Sequence, residues 1–144
     1  MSLKPIRYLV FHHTASAPSI TLEQIDAAHR AKGWEGAGYS YFIDADGVVW
    51  PARGLRRHLA ANPPHNSDSI AVAVAGWNGN DKHPEWEWSV MQWATVHWFV
   101  RTMSVLIPGL IIGGHRDIGT TPTDCPGLDI RAEFEDDPHE ETIQ

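Results

Sequence analysis

Cysteine is almost missing from this chain: Cys125 stands alone among 144 residues. No internal disulfide can form, so the fold must hold by packing, and an oxidising compartment is neither required nor excluded. Basic residues are scarce too, 11 Lys and Arg against 18 Asp and Glu, for a formal net charge of -7. That balance argues against a nucleic-acid partner, which wants a basic face to meet phosphates. No apolar run is long enough for a membrane span, and the opening MSLKPIRYLV lacks the core of a secretory leader. The expectation is a protein cytoplasmic as made, without a membrane partner and needing delivery if its substrate lies outside. Repeats, linkers and low-complexity stretches are absent as well. One domain, 1–144, is therefore expected, ending in an acidic, solvated tail over about 135–144.

What is present is ordinary in bulk, 42% hydrophobic and 20% charged, and rich in tryptophan, with seven. This length can bury a real core. Ile6 to Phe11 reads as a buried strand between Pro5 and the pair His12-His13. Thr21-x-x-Gln24 is a capping box opening a helix, with Leu22, Ile25 and Ala28 at helical spacing and Gly33 as its stop. Tyr39 to Ile43 and Val48 to Trp50 read as strands around an Asp46-Gly47 turn, and Ser69 to Ala75 as another strand. Ser89-x-x-Gln92 opens the longest helix, Val90 to Ile107, with an apolar face at Val90, Trp93, Val96, Val100, Met103 and Ile107. Leu110 to Ile112 is a short strand, and a last short segment spans Ile130 to Phe134. The fold class expected is a single α/β domain, a central mixed sheet of about five strands flanked by helices.

The chemistry gathers at strand ends. Side chains alternate faces along a strand, so His12 and His13 cannot both point at one site, and alternation alone does not say which one does. His12, His115 and Cys125 sit at strand ends or in the loops beyond, where a sheet presents functional groups at one rim. Two imidazoles and a thiolate with an open fourth position are the donor set of a catalytic zinc site.

Four ordered blocks, VFHHTAS, HRAKGWEGAGYSYFIDADGVVW, RHLAANPPHNSDSIAVAVAG and GGHRDIGTTPTDCPG, resemble one family from about Tyr8 to Ile130. It is the zinc-dependent N-acetylmuramoyl-L-alanine amidases, which include phage lysozyme-type amidases and animal peptidoglycan recognition proteins. The resemblance implies one zinc per chain on His12, His115 and Cys125, with His13 at a position that varies in the family. It also implies hydrolysis of the amide between N-acetylmuramic acid and L-alanine and a peptidoglycan or muropeptide substrate. A monomer is expected. The length without a wall-anchoring domain and the lack of a secretory leader suit an endolysin-like, bacteriolytic role, with a cytosolic muropeptide-recycling enzyme and an injected effector as the alternatives. Tyr39 matches the family's catalytic tyrosine. By the period of two, Tyr39 and Tyr41 share a strand face, so the choice between them rests on the resemblance. Thr123 stands where phage members carry a lysine, as it does in animal members that keep activity, and is taken as a second catalytic position. His58 matches a histidine bordering the substrate groove. Asn66 and Ser69 match the block that shapes the groove's rim, and His29 and Trp34 match a block read as packing at the helix end. His65, His83, His97 and His139 have no such support. The competing reading is a recognition module that binds without turnover. Relatives of that kind typically lose the cysteine, and the presence of Cys125 with Tyr39 favours the enzyme.

Overall fold

The structure is a computed structural model and describes residues 5–55 and 58–135. Its centre is a pair of parallel strands, β1 (Tyr8–His13) and β4 (Ser69–Val74), matched from Tyr8 beside Ser69 to His13 beside Val74. Every residue of β4 is buried, as befits a strand covered on both faces. β5 (Ile111–Gly114) runs parallel to β1 on one side, and β2 (Tyr41–Ile43) runs parallel to β4 on the other. β3 (Val49–Pro51) closes that edge antiparallel to β2, giving the order β3-β2-β4-β1-β5. The sheet is mixed and five-stranded, the architecture expected from the pattern of elements.

Alternation along β1 and β4 divides the core. Leu9, Phe11, Ile70, Val72 and Val74 pack against Val96, Phe99, Val100 and Met103 of helix α2 (Val90–Leu106), joined by Ile130 and Phe134 of α3 (Ile130–Glu135). On the other face Ala73, Ala75 and Phe42 meet Ile25 of helix α1 (Leu22–Ala31). Both long helices open on capping boxes, Thr21 with Gln24 and Ser89 with Gln92. Gln92 does more: its Nε2 donates to the carbonyls of Asp44 at 3.1 Å and Ala75 at 2.7 Å, pinning the start of α2 to the ends of β2 and β4. No helix among the described residues is long and apolar enough to cross a membrane.

Three sequence expectations are corrected. The first strand does not stop at the histidines: pairing on β4 carries it through His13, beside Val74. The strand expected over Tyr39 to Ile43 starts only at Tyr41, because Ser40 takes Ala71's N–H on its side-chain hydroxyl. The two tyrosines therefore do not share a face; Tyr41 packs on Phe99 beneath α2, with ring centroids 5.5 Å apart, while Tyr39 belongs to the cluster on the α1 side. The apolar face of α2 is also rotated: Val90, at the helix start, is 83% exposed, and Phe99 and Gln92 take core places beside Val96, Val100 and Met103. Most of the expected acidic tail lies outside the described residues.

Phe99→Ala should lower the unfolding free energy by about 3–5 kcal/mol in a urea titration, the range for deleting a buried aromatic ring. Val90→Ala should change it by no more than about 0.5 kcal/mol, as exposed positions do.

Candidate metal centre

The site begins with strand register. Val10 lies beside Gly113 and Phe11 beside Gly114 in the parallel β1–β5 pair, and the N–H of His115 donates to the Phe11 carbonyl at 3.1 Å. One residue further on, His12 and His115 are thus adjacent, with ring centroids 4.5 Å apart. His12 is buried and faces away from the α2 core that takes Leu9 and Phe11; its β4 neighbour Ala73 belongs to the α1-side cluster. Gly114 lets the cysteine loop close in, since a Cβ there would come within 2.5 Å of Pro126 Cδ.

That loop brings Cys125 to the two histidines. Arg116 N–H donates to the Cys125 carbonyl at 2.7 Å, and Cys125 N–H donates to Thr123 Oγ1 at 3.1 Å. The sulfur is held in turn: His13 N–H donates to Sγ at 3.3 Å. Asn78 ties the arrangement together, its Nδ2 donating to the Pro126 carbonyl at 2.9 Å and its backbone N–H to His13 Nδ1 at 3.3 Å. Gly127, at φ +81°, adopts a backbone that L side chains rarely take, and a Cβ there would collide with the Asn78 carbonyl.

Donor atoms of His12, His115 and Cys125 all lie within 4.8 Å of one another. Tetrahedral zinc, with bonds of about 2.0–2.3 Å, would space its donors roughly 3.5 Å apart, so small movements suffice. His115 Nε2 is buried without a hydrogen-bond partner among the described residues, an orphaned polar atom of the kind an ion or water satisfies. Two imidazoles and one thiol are a donor set that fits zinc.

Burial sets the protonation states. Desolvation, then the neighbouring His115, push the His12 imidazole down to about 3, and burial lowers His115 as well, so both rings are neutral at ordinary pH. Burial pushes the Cys125 thiol up to about 12, so the metal-free cysteine is protonated and an arriving ion must displace that proton. Tyr39 packs against His12, ring centroids 5.1 Å apart, and against His29 at 5.6 Å. Burial and the Cys125 charge hold its phenol above the usual tyrosine range, so it remains a hydrogen-bond donor.

The structure therefore gathers His12, His115, Cys125 and Tyr39. Thr123 is adjacent, its hydroxyl bracing the cysteine's backbone. His58 sits exposed on the loop after Arg53, with its carbonyl held by Arg53 Nη1 at 2.6 Å. His29 accepts Gly38 N–H on Nδ1 and packs edge-on to Trp34, as expected of a helix-end packing pair. Sequence reasoning missed Asn62 and Asn78, polar residues in loops with no periodicity to single them out. A cavity of about 1030 Å³ lies elsewhere, between α1 and the β2–β3 edge, and none of the three donor residues lines it.

The family model described as N-acetylmuramoyl-L-alanine amidase matches residues 2–128. A peptidoglycan-recognition protein of Drosophila melanogaster is 28% identical over 137 residues, covering 90% of this chain and 73% of that protein. An N-acetylmuramoyl-L-alanine amidase of Sus scrofa is 29% identical over 133 residues, covering 85% of this chain but 22% of that longer protein. Among solved structures, the endolysin amidase LysCS of Clostridium intestinale superposes with a TM-score of 0.77 at 23% identity, over 92% of this chain and 85% of that one, a likeness of fold.

The buried neutral His12 has a measurable consequence for the metal-free protein. An unfolded histidine titrates near 6.5 and the folded one at about 3. Between those values the unfolded chain binds the extra proton, so the stability is fully present above 6.5 and is lost as pH falls through the window. With a chelator present, the stability of wild type minus that of His12→Gln should drop between about pH 6.5 and 4.5, by on the order of 1 kcal/mol per pH unit. A flat difference would show that the folded imidazole takes up its proton as freely as the unfolded one.

Proposed function

From the premise that the chain belongs to the N-acetylmuramoyl-L-alanine amidase family, we propose that it is a zinc hydrolase cleaving the amide between N-acetylmuramic acid and L-alanine in peptidoglycan. The observation that carries this reading is the convergence of His12, His115 and Cys125 beside the half-buried ring of Tyr39. Zinc, when bound, supplies a Lewis acid for the scissile carbonyl and a water acidic enough to attack near neutral pH.

The chain's own residues do the rest. His12 and His115 offer neutral imidazoles without a deprotonation step, because burial has already lowered both. Cys125 contributes the charged donor once its proton leaves, and His13 N–H remains aimed at the sulfur throughout. Tyr39, protonated and preorganised by the His12 and His29 rings, donates a hydrogen bond where the oxyanion develops. Thr123 keeps the Cys125 backbone in place and adds a neutral hydroxyl where phage relatives carry a cation. His58, exposed on its loop, is assigned to the rim of the substrate groove. Peptidoglycan recognition without turnover is the competing reading, suggested by the recognition proteins among the relatives. The intact donor set with Tyr39 favours hydrolysis. An endolysin-like, bacteriolytic role, with the enzyme delivered to the wall as a monomer, completes the proposal.

A digest of purified peptidoglycan should release new L-alanine N-termini together with free muramic-acid glycans. Cys125→Ser should lose both that activity and bound zinc, whereas His13→Ala should keep the metal, because the bond to sulfur comes from the backbone. Binding to peptidoglycan with no new N-termini would establish the recognition module instead.

Tyr39→Phe should keep fold and zinc yet slow turnover about ten- to a thousand-fold, the range for losing one oxyanion donor. Tyr41→Phe, on the opposite face of the sheet, should leave the rate unchanged. Equal rates for Tyr39→Phe and wild type would remove the phenol from the mechanism.

A further inference from the structure

Asn62 lies in the loop ANPPHN, yet its side chain is completely buried. Its Oδ1 faces Nε2 of His12 at 3.2 Å, and its Nδ2 donates to Ser69 Oγ at 3.1 Å. In this orientation of the amide, with its nitrogen toward Ser69, the atom presented to the imidazole is an acceptor, and the matching tautomer carries the ring proton on Nε2. The neutral ring then has its lone pair on Nδ1.

We propose that Asn62 is a positioning residue of the metal centre: it accepts the Nε2–H of His12, holds that tautomer, and so presents Nδ1 to the ion. This rests on reading the cluster as a zinc site. The opposite tautomer would set the Nε2 lone pair against the Oδ1 lone pairs at a site from which water is excluded, an unsatisfied contact that buried polar groups avoid.

Asn62 cannot turn away to relieve such a clash. Asn66 Oδ1 accepts the backbone N–H groups of both Ala61 and Asn62, each at 3.0 Å, fixing the loop around the amide. Ser69, which holds the other end of the side chain, is the first residue of fully buried β4. The loop is also braced by the segment following His115, since Thr120 N–H donates to the Pro63 carbonyl at 3.0 Å. One loop thus orients the first histidine while resting on the chain that carries the second.

Two measurements test this on the whole protein. In the metal-free protein, histidine ¹⁵N chemical shifts should report the Nε2–H tautomer for His12 in wild type and a mixture in Asn62→Leu. In competition against a chromogenic zinc chelator, Asn62→Leu should bind zinc about 10–100-fold more weakly, the usual cost of removing such an outer partner. Asn62→Asp, which keeps an oxygen acceptor, should stay within a few-fold of wild type even if Asn62→Leu proves too unstable to measure. Asn66→Ala, touching neither ring nor ion, should weaken zinc by a smaller factor. Wild-type affinity in a folded Asn62→Leu, a large loss in Asn62→Asp, or an Nδ1–H tautomer in wild type would overturn the assignment while leaving the hydrolase reading intact. A wild type that binds no zinc would overturn both.

Discussion

The register of β1 between its two parallel neighbours is the constraint on which the rest depends. Pairing Phe11 with Gly114 on one side and with Val72 on the other decides that His12 emerges beside His115 and away from α2. A slip of one residue would turn His12 into the apolar layer in place of Leu9 and Phe11 and bring His13 to the donor cluster. What prevents the slip is the buried set itself. Leu9 and Phe11 fill the layer under α2, and exchanging them for Tyr8, Val10 and His12 would bury an unpartnered imidazole there. The register of the donor cluster is therefore a by-product of core packing.

Around that register the site relies on backbone groups and uncharged amides. Cys125 receives its hydrogen bond from the N–H of His13, Asn78 ties the Pro126 carbonyl to the end of β4, and Asn62 meets His12. The ion pair on the cysteine loop, Arg116 with the exposed Asp124 at 3.3 Å, lies on its outer side. In a water-poor pocket, neutral partners orient ligands without competing for the ion or adding desolvation cost. The same low polarity keeps the imidazoles neutral and the thiol protonated, so these three side chains together carry no net charge.

Much of this was legible in the residues. The two capping boxes, the apolar β4 and the opposite facing of His12 and His13 follow from local chemistry and the two-residue period, and the structure bears them out. The Tyr39–Tyr41 pair was misread because periodicity presumes an unbroken ladder, and the Ser40 hydroxyl breaks it by standing in for a main-chain acceptor. Val90 fits a helical apolar stripe but stands exposed at the first residue of α2, while Gln92 turns inward to the ends of β2 and β4. Asn62 and Asn78 left no trace in any pattern, because a loop's polar residues become structural only when another segment folds against them. Long-range contact is what a single sequence conceals.

That dependence on distant segments has a consequence for how the molecule comes into being on a ribosome. His13 and Cys125, joined by the bond to sulfur, are 112 positions apart, and β1 must wait for β5 before its outer edge is paired. A nascent chain can close α1 and the β2–β3 hairpin locally, but it holds only one of the three donors until His115 has left the exit tunnel. No truncated product ending before Cys125 contains the thiol that completes the set. Assembly of the three donors therefore waits until Cys125 has emerged, after all five strands and both long helices have been made.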